Sequence, residues 1–112
     1  VFQNRFHVFY RRVSTHNQDL TMQIAADASY REKLDEQEMR IINEHGVSAN
    51  KKSIEERPDM QALLSRIEED KVSTLYTFDR SRLFRDFYEA TKFQDICIRN
   101  GVVLCSFGIV PP

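Results

Sequence analysis

The stretch "FHVFYRRVSTHNQDLTMQ", residues 6–23, decides how the chain is read. Its opening, "FHVFYRRV" (6–13), has the aromatic and β-branched content of a strand. The strand closes on the polar loop "STHNQD" (14–19), and from Leu20 the sequence "LTMQIAADASYREKL" is rich in helix formers. Ile24, Ala28 and Arg31 recur at helical spacing, as do Met22, Ala25 and Ala26. The junction also poses a chemical question, because Arg11 and Arg12 are crowded beside Ser14. Either these cations are solvated by chance, or they and the hydroxyl face a common anionic target.

Working outward, propensity alone carries the first helix through "DEQEMRIINEH" to Gly46, roughly 25 residues and long for a globular helix. A break near Asp35–Gln37 is preferred, with "MRIINE" (39–44) as a short buried strand. "HGVSANKKSIEE" (45–56) is a polar loop without apolar period. "RPDMQALLSRIEED" is a strong helix signal: Pro58 suits a first turn, and Met60, Leu63, Leu64 and Ile67 form an i, i+3, i+4, i+7 stripe. "VSTLYTF" (72–78) alternates as a strand, and "DRSRLFRD" is a charged loop entering a further helix. That helix is expected to bury Phe87, Tyr88, Phe93, Ile96 and Cys97 and to stop at "NG" (100–101). "VVLCSF" (102–107) reads as a final buried strand.

The resulting order, β-α-β-α-β-α-β, predicts an α/β fold: three layers, a mainly parallel sheet with flanking helices and right-handed crossovers. Ligands of such sheets bind at the carboxyl ends of the strands. The loop after the first strand carries Arg12 and Ser14, the second Glu44 to Lys52, and the third Arg80, Arg82 and Arg85. Loops rich in arginine and hydroxyl groups thus converge on one edge.

The bulk numbers fit one domain, residues 1–112, with 41% apolar and 29% charged residues. Lys+Arg at 16 nearly cancel Asp+Glu at 17, so the chain lacks the basic excess that would hold nucleic acid tightly on its own. No run is long and apolar enough to span a membrane, and no signal peptide is evident. The start at Val1 and the end on "GIVPP" read as a piece of a longer protein. Cys97 and Cys105 form no metal or disulfide framework and are expected to be reduced and buried, which points to the cytoplasm.

Three glycines and no Gly-rich cradle argue against a nucleotide site, and "NEH" (43–45) is too little for a metal. A serine accompanied by several arginines remains. A hydroxyl attacking a phosphodiester needs its target neutralised and its transition state stabilised, and the planar, permanently charged guanidinium does both.

These residues resemble a known family. "YRRVSTHNQDLTMQ" (10–23) looks like the Y-x-R-V-S-T-x-x-Q-x-L-x-x-Q signature of the serine recombinases, the resolvase/invertase superfamily. The likeness continues through "GVSA" (46–49), "ERPDMQALLSRI" (56–67) and "RLFRD" (82–86), in the family's order over about residues 6 to 107. "RPDMQALL" and the long loop before it are more similar to large serine integrases than to small resolvases. The resemblance implies a resolvase-like catalytic domain that cuts DNA through a 5′-phosphoserine link with neither metal nor ATP. It implies Ser14 as nucleophile, with Arg12, Arg57, Arg82 and Arg85 around the scissile phosphate. Tyr10, Gln18, Gln23, Glu44 and Ser48 match supporting positions, Glu44 standing where Asp is usual. DNA would be the partner, held mainly by C-terminal domains beyond Pro112. The full-length protein would form a dimer and a synaptic tetramer.

Two departures stand out. Ser81 precedes Arg82 where the family commonly has Asp, with Asp79 two positions earlier, and Ala49 replaces the usual Gly after Ser48. A degenerate recombinase-like module that only oligomerises is therefore an alternative. A hydrolase using Ser14 and His16 is another, disfavoured by the absence of a GxSxG elbow. Arg11 matches no catalytic position and is expected to be solvated, as is the "REKLDEQE" charge run; His7 and His45 are read as structural or solvated.

Overall fold

The structure is a computed structural model. It describes residues 5–13, 17–45, 53–78, 84 and 86–106. Strand β1 (Phe6–Val13) leads to helix α1 (Asn17–Arg31), then β2 (Met39–His45), α2 (Pro58–Glu68), β3 (Val72–Thr77), α3 (Phe87–Arg99) and β4 (Val103–Ser106). Short 3₁₀ turns at Glu36–Glu38 and Ile54–Glu56 precede β2 and α2. The strands form one sheet in the order β2-β1-β3-β4, every neighbouring pair parallel. The expected alternation and the parallel α/β sheet are both present.

Side-chain alternation on β1 separates the layers. Val8 and Tyr10 point to one face, where with Leu75 they pack against Met60, Leu63 and Ile67 of α2 and Phe93 and Cys97 of α3. Phe9 points to the other face, stacked on Tyr76 with ring centroids 4.3 Å apart, while Tyr30 of α1 meets the same Tyr76 ring at 5.6 Å. A strand buried on both faces must be apolar at consecutive positions. "VFY" (8–10) meets that demand, and all three residues are buried.

Several expectations are corrected. Helix α1 starts at Asn17 rather than Leu20, so only residues 14–16 join it to β1. "MRIINE" is a strand but an edge one, with Ile41 48% exposed. β4 is likewise an edge, with Val103 exposed, not a buried strand. Ile54, placed in a polar loop, is buried in the core. Phe87 and Tyr88 are 85% and 74% exposed rather than buried. The inward side of α3 runs through Glu89, Phe93 and Cys97 at i, i+4, i+8, and residues 87 and 88 begin the helix on its other side. Arg11 is buried against Asp27, not solvated. Cys97 is buried, its thiol pushed up to about 11 by that burial, whereas Cys105 is only half-buried; both are free thiols.

Helix ends explain two chain reversals. After α3, Val102 N–H donates to Cys97 C=O at 2.8 Å and Gly101 N–H to Ile98 C=O at 3.2 Å, with Gly101 at φ +69°. This is the paired 6→1 and 5→2 closure that favours glycine. The same closure ends α2 through Lys71 and Asp70, where Asp70 carries φ +63° without being glycine. Gly101→Ala is expected to lower stability by about 1–2 kcal/mol through backbone strain. A Cβ there would meet only Arg5 Nη2, at an ordinary 3.8 Å. Urea unfolding checks it; an unchanged midpoint would show that the turn relaxes.

Candidate active site

The carboxyl ends of β1, β2 and β3 meet on the sheet face that α2 covers. Residues paired across parallel strands point the same way, so Tyr10 lies beside Ile42 and Thr77, and Arg12 beside Glu44. Arg57 enters from above as the N-cap residue of α2. Pro58 forces it to be extended, with φ −110° and ψ 105°. Its backbone C=O accepts the first helical bond, from Gln61 N–H at 2.9 Å.

A cation at a helix start opposes the macrodipole, and a fully buried one needs a partner. Glu44 provides it. Arg57 Nε donates to Glu44 Oε2 at 2.9 Å and Nη2 donates to Oε1, a two-point fork between fully buried side chains. Burial alone would lower the Arg57 pKa; the hydrogen bonds and charge of Glu44 more than reverse this and leave it above the ordinary value. Tyr10 lies against this pair. Burial, and then the Glu44 carboxylate, raise its pKa well above the ordinary range, so it stays a neutral phenol. Its buried hydroxyl makes no hydrogen bond of normal geometry among the described residues. Tyr10→Phe is therefore expected to shift stability by less than about 1 kcal/mol, since no formed hydrogen bond is removed. A thermal melt checks this; a larger loss would show that the hydroxyl bonds to the pair.

Gln23 of α1 clamps the backbone of Arg12. Its amide nitrogen donates to Arg12 C=O at 3.0 Å and its oxygen accepts Arg12 N–H at 3.3 Å. These bonds form beyond Tyr10–Thr77, where β1–β3 pairing ends. Glu89 of α3 secures the other side: it is buried, and its Oε2 accepts Ile54 N–H at 3.0 Å, fixing the turn that precedes Arg57.

The structure thus brings together Tyr10, Arg12, Gln23, Glu44 and Arg57 of the residues expected from the sequence. Ser14, Ser48, Arg82 and Arg85 lie outside the described residues, as do His16, Ala49, Asp79 and Ser81 and the side chain of Gln18. Asp27 and Glu89, both buried and both organising these elements, were not anticipated. Glu89 is signalled only by its place on the inward side of α3 with Phe93 and Cys97, and nothing in the sequence singles out Asp27. Among the described residues no three of His, Cys, Asp and Glu gather as a metal site, and no helix is long and apolar enough to cross a membrane.

A family model described as the resolvase N-terminal domain matches residues 7–108. The chain belongs to that family, the serine recombinase catalytic fold. Solved structures repeat the fold of this resolvase-type domain. A serine recombinase from Sulfolobus solfataricus superposes with a TM-score of 0.67 at 19% identity, covering 96% of this chain and 71% of that one. The N-terminal catalytic domain of TP901-1 integrase gives 0.65 at 21% identity, covering 92% and 77%. The C-terminal catalytic domain of ISC1926 TnpA, an IS607-like serine recombinase, gives 0.69 at 19% identity, covering 95% and 69%. At such identities the likeness concerns the fold. A search of curated protein sequences finds no match.

Proposed function

We propose that this resolvase-type domain is the catalytic domain of a site-specific DNA recombinase of the large serine integrase type, with Ser14 as its nucleophile. One observation carries the reading: Arg12, Arg57 and Glu44 gather at the carboxyl edge of the sheet, where the chain runs from β1 directly into Ser14. Ser14 Oγ attacks the scissile phosphorus, a P–O bond to serine forms, and the bond to the 3′ oxygen breaks. The serine proton ends on that oxygen, leaving a 3′ hydroxyl and a 5′-phosphoserine. The phosphodiester is conserved in the serine link, so religation by the reverse step needs neither ATP nor a metal.

Arg12 and, by motif, Arg82 and Arg85 contact the phosphate oxygens in this scheme. Charge-assisted bonds to such oxygens are worth roughly 1.5–3 kcal/mol each and act where negative charge develops. Arg57 contributes differently: its Nε–Nη2 edge is taken by Glu44, whose charge offsets its own, so it orders the ends of β1 and β2. Gln23 holds the Arg12 backbone; Gln18 and Ser48 complete the set by motif. DNA is the substrate, bound mainly through further domains, and strand exchange takes place in a tetramer.

The test is a covalent-adduct assay on the full-length protein with DNA carrying its attachment site, in the presence of EDTA and without ATP. Denaturation followed by mass spectrometry should find DNA linked to Ser14. Intact DNA binding without any adduct would sink the reading.

A further inference from the structure

Helix α1 meets the sheet through polar groups. Gln23 and Asp27 face β1 and Tyr30 meets Tyr76 of β3, while Met22 and Ile24 are exposed. Asp27 is 1% exposed, and its carboxylate accepts Arg11 Nε at 2.8 Å and Arg11 Nη2 at 3.1 Å. Arg31, one turn further along α1, adds its Nε at 2.5 Å and braces itself on Ile24 C=O at 2.8 Å. One turn before Asp27, Gln23 bonds both backbone groups of Arg12. Consecutive residues at the end of β1 are thus gripped from successive turns of α1, one by its side chain and the other by its backbone.

Apolar contacts tolerate sliding, whereas a guanidinium fork on a carboxylate has one geometry. Stability alone does not account for the arrangement, because an apolar pair of similar volume often serves as well as a buried ion pair. β1 ends at Val13, one residue past the gripped Arg12 and next to Ser14 in the sequence, and α1 begins at Asn17.

We propose that Asp27, held by Arg11 and Arg31, is a positioning residue that sets the register of α1 against the end of β1 and thereby the placement of Ser14. The part concerning Ser14 rests on the reading of that residue as nucleophile; the register part stands without it.

The experiment uses the full-length protein and two variants, Arg11→Lys, which keeps the charge but loses the fork, and the double Arg11→Leu/Asp27→Leu, which removes both buried charges. Four quantities are measured: thermal midpoint, DNA affinity, amide exchange at residues 11–17 and the rate of Ser14–DNA adduct formation. The double variant should melt near wild type and bind DNA normally. Its Arg12 and Val13 amides should exchange about tenfold faster or more as the grip opens locally. Adducts should form roughly ten- to a hundredfold more slowly, as misplacement of a reacting group demands. Arg11→Lys should fall between it and wild type. Wild-type exchange and adduct rates in the double variant would overturn the proposal, and if that variant does not fold, wild-type values in Arg11→Lys would do the same. Should the wild-type protein form no adduct, the nucleophile reading fails while amide exchange still decides the register.

Discussion

Glu44→Gln is expected to destabilise the domain by about 3–5 kcal/mol, because it removes the carboxylate charge onto which the buried Arg57 guanidinium forks. Against a total stability of about 5–15 kcal/mol for a domain, such a loss brings the fold close to its threshold. Arg57 cannot swing out cheaply. Its backbone is the N-cap of α2, fixed by Pro58 and by the bond from Arg57 N–H to Ile54 C=O at 3.2 Å. Nor can it shed its proton, since Arg stays charged in proteins. The double variant Glu44→Leu/Arg57→Met removes both charges and should recover most of the loss, because isosteric apolar groups commonly replace a buried pair without penalty. Urea unfolding at neutral pH, with the slope unchanged between variants, reads the difference. A loss below about 1 kcal/mol in Glu44→Gln would mean that the fork is open to water and that Arg57 is free to meet a phosphate.

How much of this was legible in the sequence differs from element to element. β1 was readable from the aromatic and β-branched content of "FHVFYRRV", and its burial on both faces explains why "VFY" (8–10) is apolar at consecutive positions. α2 was readable because Pro58 marks its start and Met60, Leu63 and Ile67 mark its buried stripe. The stop after α3 followed from Gly101, whereas the equivalent stop after α2 is made by Asp70, which gives no such signal. Phe87 and Tyr88 misled because hydrophobicity was read without the phase of the helix, which Phe93 and Cys97 set. Arg11 misled for the opposite reason: a buried charge shows in a sequence only through its partner, and Asp27 lies sixteen positions away. The candidate site residues were picked out by motif, while the Glu44–Arg57 contact, thirteen positions apart, depends on how β2 and α2 come together. Short-range patterns carry propensity; pairing across layers is a tertiary fact.

The largest effect on activity is expected from Ser14→Ala, which should abolish the DNA adduct and slow strand cleavage on the order of 10⁴-fold or more, as removal of a nucleophile does elsewhere. Stability should hardly change, because Gln23 and Asp27 hold the end of β1. DNA affinity should also persist, since in the proposed scheme phosphate contacts rest on the arginines and on further domains. Arg12→Ala supplies the scale for comparison. It removes a charge proposed to lie beside the scissile phosphate and should cost roughly 10²–10³ in rate while leaving any residual adduct on Ser14. The contrast between the two variants separates chemistry from electrostatics: one removes the proposed attacking atom, the other only slows its attack. A Ser14→Ala protein that still cuts DNA would place the nucleophile elsewhere. Wild-type protein and Ser14→Ala alike in binding but inert in cleavage would instead favour a degenerate oligomerisation module. Ser81 in place of the usual carboxylate would then be the first position to restore, as Ser81→Asp.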